Sequence, residues 1–204
     1  WVDSLGESTS FGDVEIDALE MPGYKVSYIS NVLNKLDYIL DCDFNYVSNR
    51  EEANITLMQH YEAIPGEDYG GRCDHTRDQN GVMDKAITVT TKSERSTSDW
   101  WKSILLHEIG HGLHLEHPFD NDDGDVYGDE DYVTKNHTIM AYGAPPNGYR
   151  SWYTNIDLEA LKSIWGEETG KAATAINFSS SSFNENISIN SVVSTLSSSD
   201  NDPL

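Results

Sequence analysis

An α+β domain is the fold class this sequence predicts, and three observations predict it. Apolar residues recur at three- and four-residue steps over residues 24–40, and residues 100–114 are apolar around a helical turn, the mark of two long helices. Short alternating or β-branched runs at 44–48, 54–60 and 86–91 read as strands. Beyond Pro118 the chain is acidic and irregular until one last capped helical segment. Strands with helices first, then an irregular half closed by a helix, belong to the α+β class.

The elements follow in order. Residues 1–24 are rich in Gly and acid, with a strand expected around 11–16 and a turn at Met21-Pro22-Gly23. Val26, Ile29, Leu33, Leu36 and Leu40 then share one face of the first helix. Two strands come next, and a Gly-rich loop at 65–71 with the stretch 72–81 leads into the third. Ser96 or Ser98 can cap the second helix, and Asp99 in its first turn complements the helix dipole. Because this helix is apolar nearly all round, it should be buried. In the closing segment NIDLEALKSIWG, Asp157 is the expected cap and Gly166 the stop. At about Ala172 the composition shifts to Ser and Asn with β-type alternation. That remainder is too short to bury a core of its own, so the expected division is 1–172 and 173–204.

Thirteen Lys and Arg stand against 35 Asp and Glu, a formal charge of −22. Such a field repels phosphate backbones and anionic lipid, which argues against nucleic-acid or membrane-surface binding. No apolar run approaches the length of a membrane span. Trp1 opens with no signal peptide, so an export segment and any propeptide would lie upstream. Hydrophobic content of 37%, with five Trp and eleven Tyr, is enough to build a core. Cys42 and Cys73 could form one disulfide, which would suit a secreted protein.

The chemistry is concentrated in His107-Glu108-Ile109-Gly110-His111. Residues four apart on a helix stack on one face, so both imidazoles can point at a single ion. Glu108 is turned roughly 60° from His111 about the axis, within reach of a water on that ion without displacing it. A catalytic zinc site takes three protein ligands and keeps one position open. His117, six residues after His111 and followed by a helix-ending Pro118, completes the pattern HExxHxxxxxH. Zinc lowers the pKa of bound water towards roughly 7, and Glu108 would act as general base, passing the proton on to the leaving amine.

With these residues the chain resembles the metzincin zinc peptidases, and most closely the serralysin family, through HEIGHGLHLEHP. The family has Gly three residues after the second His, where the chain leaves the helix in a left-handed turn, whereas this sequence has His114. If the helix instead ran on, His114 would fall on the ligand face and become the third ligand; His117 is preferred on the spacing and the following Pro. Thr138-Ile139-Met140-Ala141-Tyr142 looks like the family's Met-turn. The resemblance implies that Met140 packs beneath the zinc histidines and that Tyr142 is a further ligand and stabilises the developing oxyanion. NIDLEALKSIWG is similar to the helix that closes serralysin catalytic domains.

The resemblance thus implies a mixed twisted sheet, a central zinc helix and a zinc endopeptidase cutting internal bonds of a protein or peptide laid along the sheet edge. In that sheet order Cys42 and Cys73 would sit near opposite edges, which counts against their disulfide. The alternative is a non-catalytic, metal-stabilised adhesion or binding module in which His114 has distorted the site. The loop Asp120-Asn121-Asp122-Asp123-Gly124-Asp125, with Asp129, Glu130 and Asp131, is dense in hard oxygen ligands, and Ca2+ is a secondary expectation there. Residues 173–204 resemble a linker and the start of a cadherin-like repeat, with Glu185, Asp200 and Asp202 as its calcium carboxylates. A secreted or cell-surface protein, part of a longer multidomain chain, is what this tail implies.

Overall fold

The structure, a computed structural model, describes residues 2, 7–11, 14–60, 70–77, 83–91, 98–121, 124, 126–129, 133–143, 148–169, 175–178 and 196–199. The chain divides into two compact units, Trp1–Glu167 and Glu168–Leu204. The first is a mixed α+β unit. A pair of short antiparallel strands, β1 (Ser8–Phe11) and β2 (Val14–Asp17), precedes helix α1 (Gly23–Asp37). Strands β3 (Ile55–His60), β4 (Gly71–Arg77) and β5 (Met83–Thr91) form a sheet in the order β3-β5-β4. Helix α2 (Ser98–Gly112) and helix α3 (Asn155–Trp165) complete the unit. In the second unit β6 (Ala175–Phe178) pairs antiparallel with β7 (Leu196–Ser199).

The sheet is mixed because β3 runs parallel to the central β5 while β4 runs antiparallel to it. Four successive residues of β3, Thr56 to Gln59, are buried, so both of its faces are covered. Its outer edge is met by Val2 opposite Leu57 and by Leu19 opposite Gln59. The expected strand at 44–48 is therefore absent. The seat beside β3 is already taken, and the Phe44 amide instead donates to the Asp37 carboxylate at the end of α1. The expected strand around 11–16 is two strands folded on each other. β4, read only as a stretch between a loop and a strand, is the other edge of the sheet.

Helix α1 buries Ile29, Val32 and Leu36 against Leu57 of β3 and Leu105, Leu106 and Ile109 of α2. Tyr24 and Tyr28 meet Trp101 of α2 edge-on, with ring centroids 5.7 and 5.1 Å away. This places α2 at the centre of the core, buried along most of its length. The helical pattern of α1 reaches Leu40, fully buried, though the helix itself ends at Asp37. In α3 the cap is Thr154, two residues before the helix's Ile156, rather than Asp157. Asp157 is the third residue of a reciprocal capping box, its carboxylate accepting from the Thr154 amide at 2.7 Å. Of the two caps expected for α2, Ser96 lies outside the described residues and the side chain of Ser98 is not described. Among the described residues no helix is long and apolar enough to cross a membrane.

Candidate metal centre

Helix α2 carries His107, Glu108 and His111, and its end brings in His117. The C-terminus is a Schellman motif: the Leu115 amide donates to Gly110 O at 2.9 Å and the His114 amide to His111 O at 2.8 Å. The left-handed residue this motif requires is His114, at φ 72°. The helix therefore stops, and His114 leaves the ligand face to lie against His75 and Trp165, centroids 6.0 and 5.4 Å away. The chain turns back, and one ligand atom each from His107, His111 and His117 lies within 4.8 Å of the others.

The Nε2 atom of His111 is 3.1 Å from that of His107 and 3.1 Å from that of His117. These are not hydrogen bonds. His107 Nδ1 faces Ile139 O at 2.9 Å, His111 Nδ1 faces Leu115 O at 2.7 Å, and His117 Nδ1 faces the Asp120 carboxylate at 2.9 Å. Oxygens of these kinds only accept, so each Nδ1 carries the proton and each Nε2 presents a lone pair. Three lone pairs aimed at one point repel one another unless a cation sits between them. Burial holds His107 well below the ordinary imidazole range and His111 at about 4, with the neighbouring imidazoles adding to both. Both rings are thus neutral and ready to ligate. Imidazole nitrogens backed by carbonyls and a carboxylate are the donor set and supporting shell of a divalent transition-metal site.

Glu108 lies beside this group and is 5% exposed. Desolvation raises its carboxyl to about 8, and the positive charge of Lys135 pulls the other way. On its far side β4 begins at Gly71, directly after Gly70. A Cβ on Gly71 would stand 2.7 Å from Ile104 Cγ2 and 2.8 Å from Glu108 Cγ, so only glycine lets the strand approach the helix this closely. Beneath the helix, Met140 is buried, and a Cβ on Gly110 would come within 2.5 Å of its sulfur. Met140 is held there by Asp157, whose carboxylate accepts from the Thr138 hydroxyl and from the Ile139 amide at 3.1 Å. The same Ile139 carbonyl orients His107. The ring of Tyr142 lies over His117, centroids 4.6 Å apart, and is half exposed at the cleft.

The cleft encloses about 520 Å³ and is lined by the three histidines, Glu108, Tyr142, Lys135, Gly70 and Gly71, among others. Lys135 and β4 are the features sequence reasoning missed. A lone Lys in an acidic stretch carries no signal, and Gly71–Arg77 lacks apolar alternation. A more apolar pocket elsewhere, lined by Leu33, Phe44 and Leu113 among others, contains none of the metal-site histidines. The expected calcium loop is only partly described. Asp120 is committed to His117, and residues 122, 123, 125, 130 and 131 lie outside the described residues, as do Glu185, Asp200 and Asp202. Cys42 and Cys73 are not joined by a disulfide: Cys73 lies on β4 in the cleft and Cys42 in the apolar pocket. In a comparison with protein-family models, no family model matches the chain.

Proposed function

We propose that this chain is a zinc-dependent endopeptidase of the metzincin type, hydrolysing internal peptide bonds with Glu108 as general base. The observation that carries the reading is the set of three converging Nε2 lone pairs in an open cleft with a buried carboxylate adjoining them. Three protein ligands leave a position open, which distinguishes catalytic from structural zinc sites. When bound, zinc supplies Lewis-acid polarisation of a carbonyl and acidification of water. The remaining steps belong to the protein. A dication nearby favours the ionised form of Glu108, which then takes a proton from water and returns it to the departing amine. The Tyr142 hydroxyl, on a ring half exposed above His117, is suited to donate to the oxygen on which charge develops. The outer edge of β4 enters the cleft at Gly71, Arg72 and Cys73 and offers backbone groups to an extended substrate.

The rival reading, a non-catalytic module with a site distorted by His114, has less support. His114 occupies the left-handed position with the Schellman hydrogen bonds intact. A purely structural ion would also have no use for a buried, desolvated Glu108 in the same cleft. The acidic surface and the separate second unit fit an extracellular, multidomain setting, which we propose alongside the activity.

The test is casein hydrolysis by the zinc-loaded protein. Glu108→Ala should abolish cleavage, by roughly 100-fold or more, while zinc stays near one per chain. His117→Ala should strip the metal and His114→Ala should not. Wild-type protein that holds zinc and cleaves no peptide would sink the proposal.

A further inference from the structure

Lys135 is out of place on stability grounds. It is 5% exposed, in a chain with a formal charge of −22, and burying an ammonium is costly unless a carboxylate compensates it. Among the described residues it makes no ion pair. Glu108 and Lys135 act on each other's charge without a salt bridge. Its stem is enclosed, yet its ammonium is not among the sealed, unbonded polar atoms, and the residue lines the cleft beside His107 and Glu108.

Its placement is built. Arg150 donates from Nε to the Lys135 carbonyl at 2.9 Å and from a terminal nitrogen to the Asn136 carbonyl at 2.7 Å, pinning the backbone from which the side chain enters the cleft. The other described cation of the cleft, Arg72, is engaged by Asp74 at 2.9 and 3.1 Å. Glu108 is the sole carboxylate among the described lining residues, and it is reserved for proton transfer. The walls of the cleft include Trp100 and Ile104, apolar side chains beside which a charged contact is stronger than in open water.

We propose that Lys135 reads a carboxylate of the substrate beside the scissile bond, making acidic peptides the substrate class of this cleft. The proposal rests on the endopeptidase reading for what the carboxylate belongs to, but recognition itself needs only the occupied metal site and the cleft. The carboxylate can come from an Asp or Glu side chain or from a free peptide C-terminus, and both present the same group.

The experiment measures binding of short peptide hydroxamates, which chelate the metal without being cleaved, to the zinc-loaded chain by calorimetry. The residue next to the chelating group is aspartate, asparagine or leucine, and a leucine probe is made with a free or an amidated C-terminus. The aspartate probe should bind roughly 10-fold or more tightly than the asparagine probe if the protein reads side chains. The free-acid leucine probe should show that advantage over its amide if the protein reads a terminus. In either case Lys135→Met, which keeps the stem, should collapse the ratio, and Lys135→Arg should restore most of it. Equal binding of charged and neutral probes, or a preference that survives Lys135→Met, overturns the proposal. A preference that depends on Lys135 in a protein that cleaves no peptide would sustain this inference while defeating the hydrolytic one. Failure of every probe with zinc absent from the chain would defeat both.

Discussion

In the metal-free protein the carboxyl of Glu108 titrates at about 8 because burial strips it of water. That has a measurable consequence. The folded value lies above the ordinary 4.5, so the group's contribution to stability is full below pH 4.5 and is lost as pH rises through 8. His107 and His111 are shifted the other way, so what they contribute is present above pH 6.5 and lost as pH falls towards their folded values. Above pH ~7 the histidines have finished titrating, and of these three groups Glu108 alone sets the slope. Chelator-treated protein should therefore lose about 1 kcal/mol of stability from pH ~7 to ~8 relative to Glu108→Gln. Urea unfolding at the two pH values reads the difference directly, and parallel curves would show that the carboxyl is not desolvated. Gly71 gives a second residue-scale expectation. A methyl there would lie 2.9 Å from Glu108 Oε1 and 2.7 Å from Ile104, so one of them must move. Gly71→Ala should cut kcat/KM roughly 10- to 100-fold with zinc content unchanged, since small misplacements of a reacting group are expensive.

At the scale of elements, the site depends on how segments are stopped and tied. The Schellman end of α2 returns Leu115 O to His111 and releases the chain towards His117. The turn carrying Met140 is fastened to α3 by Asp157, which is 1% exposed and accepts from Thr138, Ile139 and Thr154. Removing it orphans several buried donors at once. Asp157→Ala should cost about 2–4 kcal/mol in chemical denaturation. It should also weaken zinc binding in a competition titration, because the same turn supplies Ile139 O to His107. A destabilised variant with unaltered zinc affinity would show that Asp157 merely caps the helix. Two glycines serve the packing around α2: Gly110 makes room for Met140 and Gly71 brings the β4 edge against Glu108.

For the whole molecule, the metal is expected to brace the fold as well as arm the cleft. Three lone pairs forced together are a cost that folding must meet, and an ion bound only to the folded state offsets it. Chelation should lower the melting temperature reversibly, by several degrees or more. The fragment 1–167 should retain the same zinc stoichiometry and the same chelator-sensitive melting as the full chain, because all the ligands and their supports lie in the first unit. A fragment that bound no zinc would show that the second unit is required. The α+β class, both principal helices and the strands expected at 54–60 and 86–91, which run over Ile55–His60 and Met83–Thr91, were legible in residue order, since their patterns depend on neighbours one turn or one pleat away. So was the pairing of His107 with His111, which helical periodicity makes almost unavoidable. The strand expected at 44–48 failed because Val2 and Leu19 occupy the sheet edge it would have used. Sequence alone thus determined the imidazoles of the candidate centre, the helical spacing of two of them and the carboxylate beside them. Tertiary structure decided the protonated nitrogen of each ring, the choice of His117 over His114, the glycine edge against Glu108 and the arrival of Lys135 in the cleft. Each of these rests on contacts between segments far apart in the chain, such as Ile139 with His107, and local pattern carries no record of such partners.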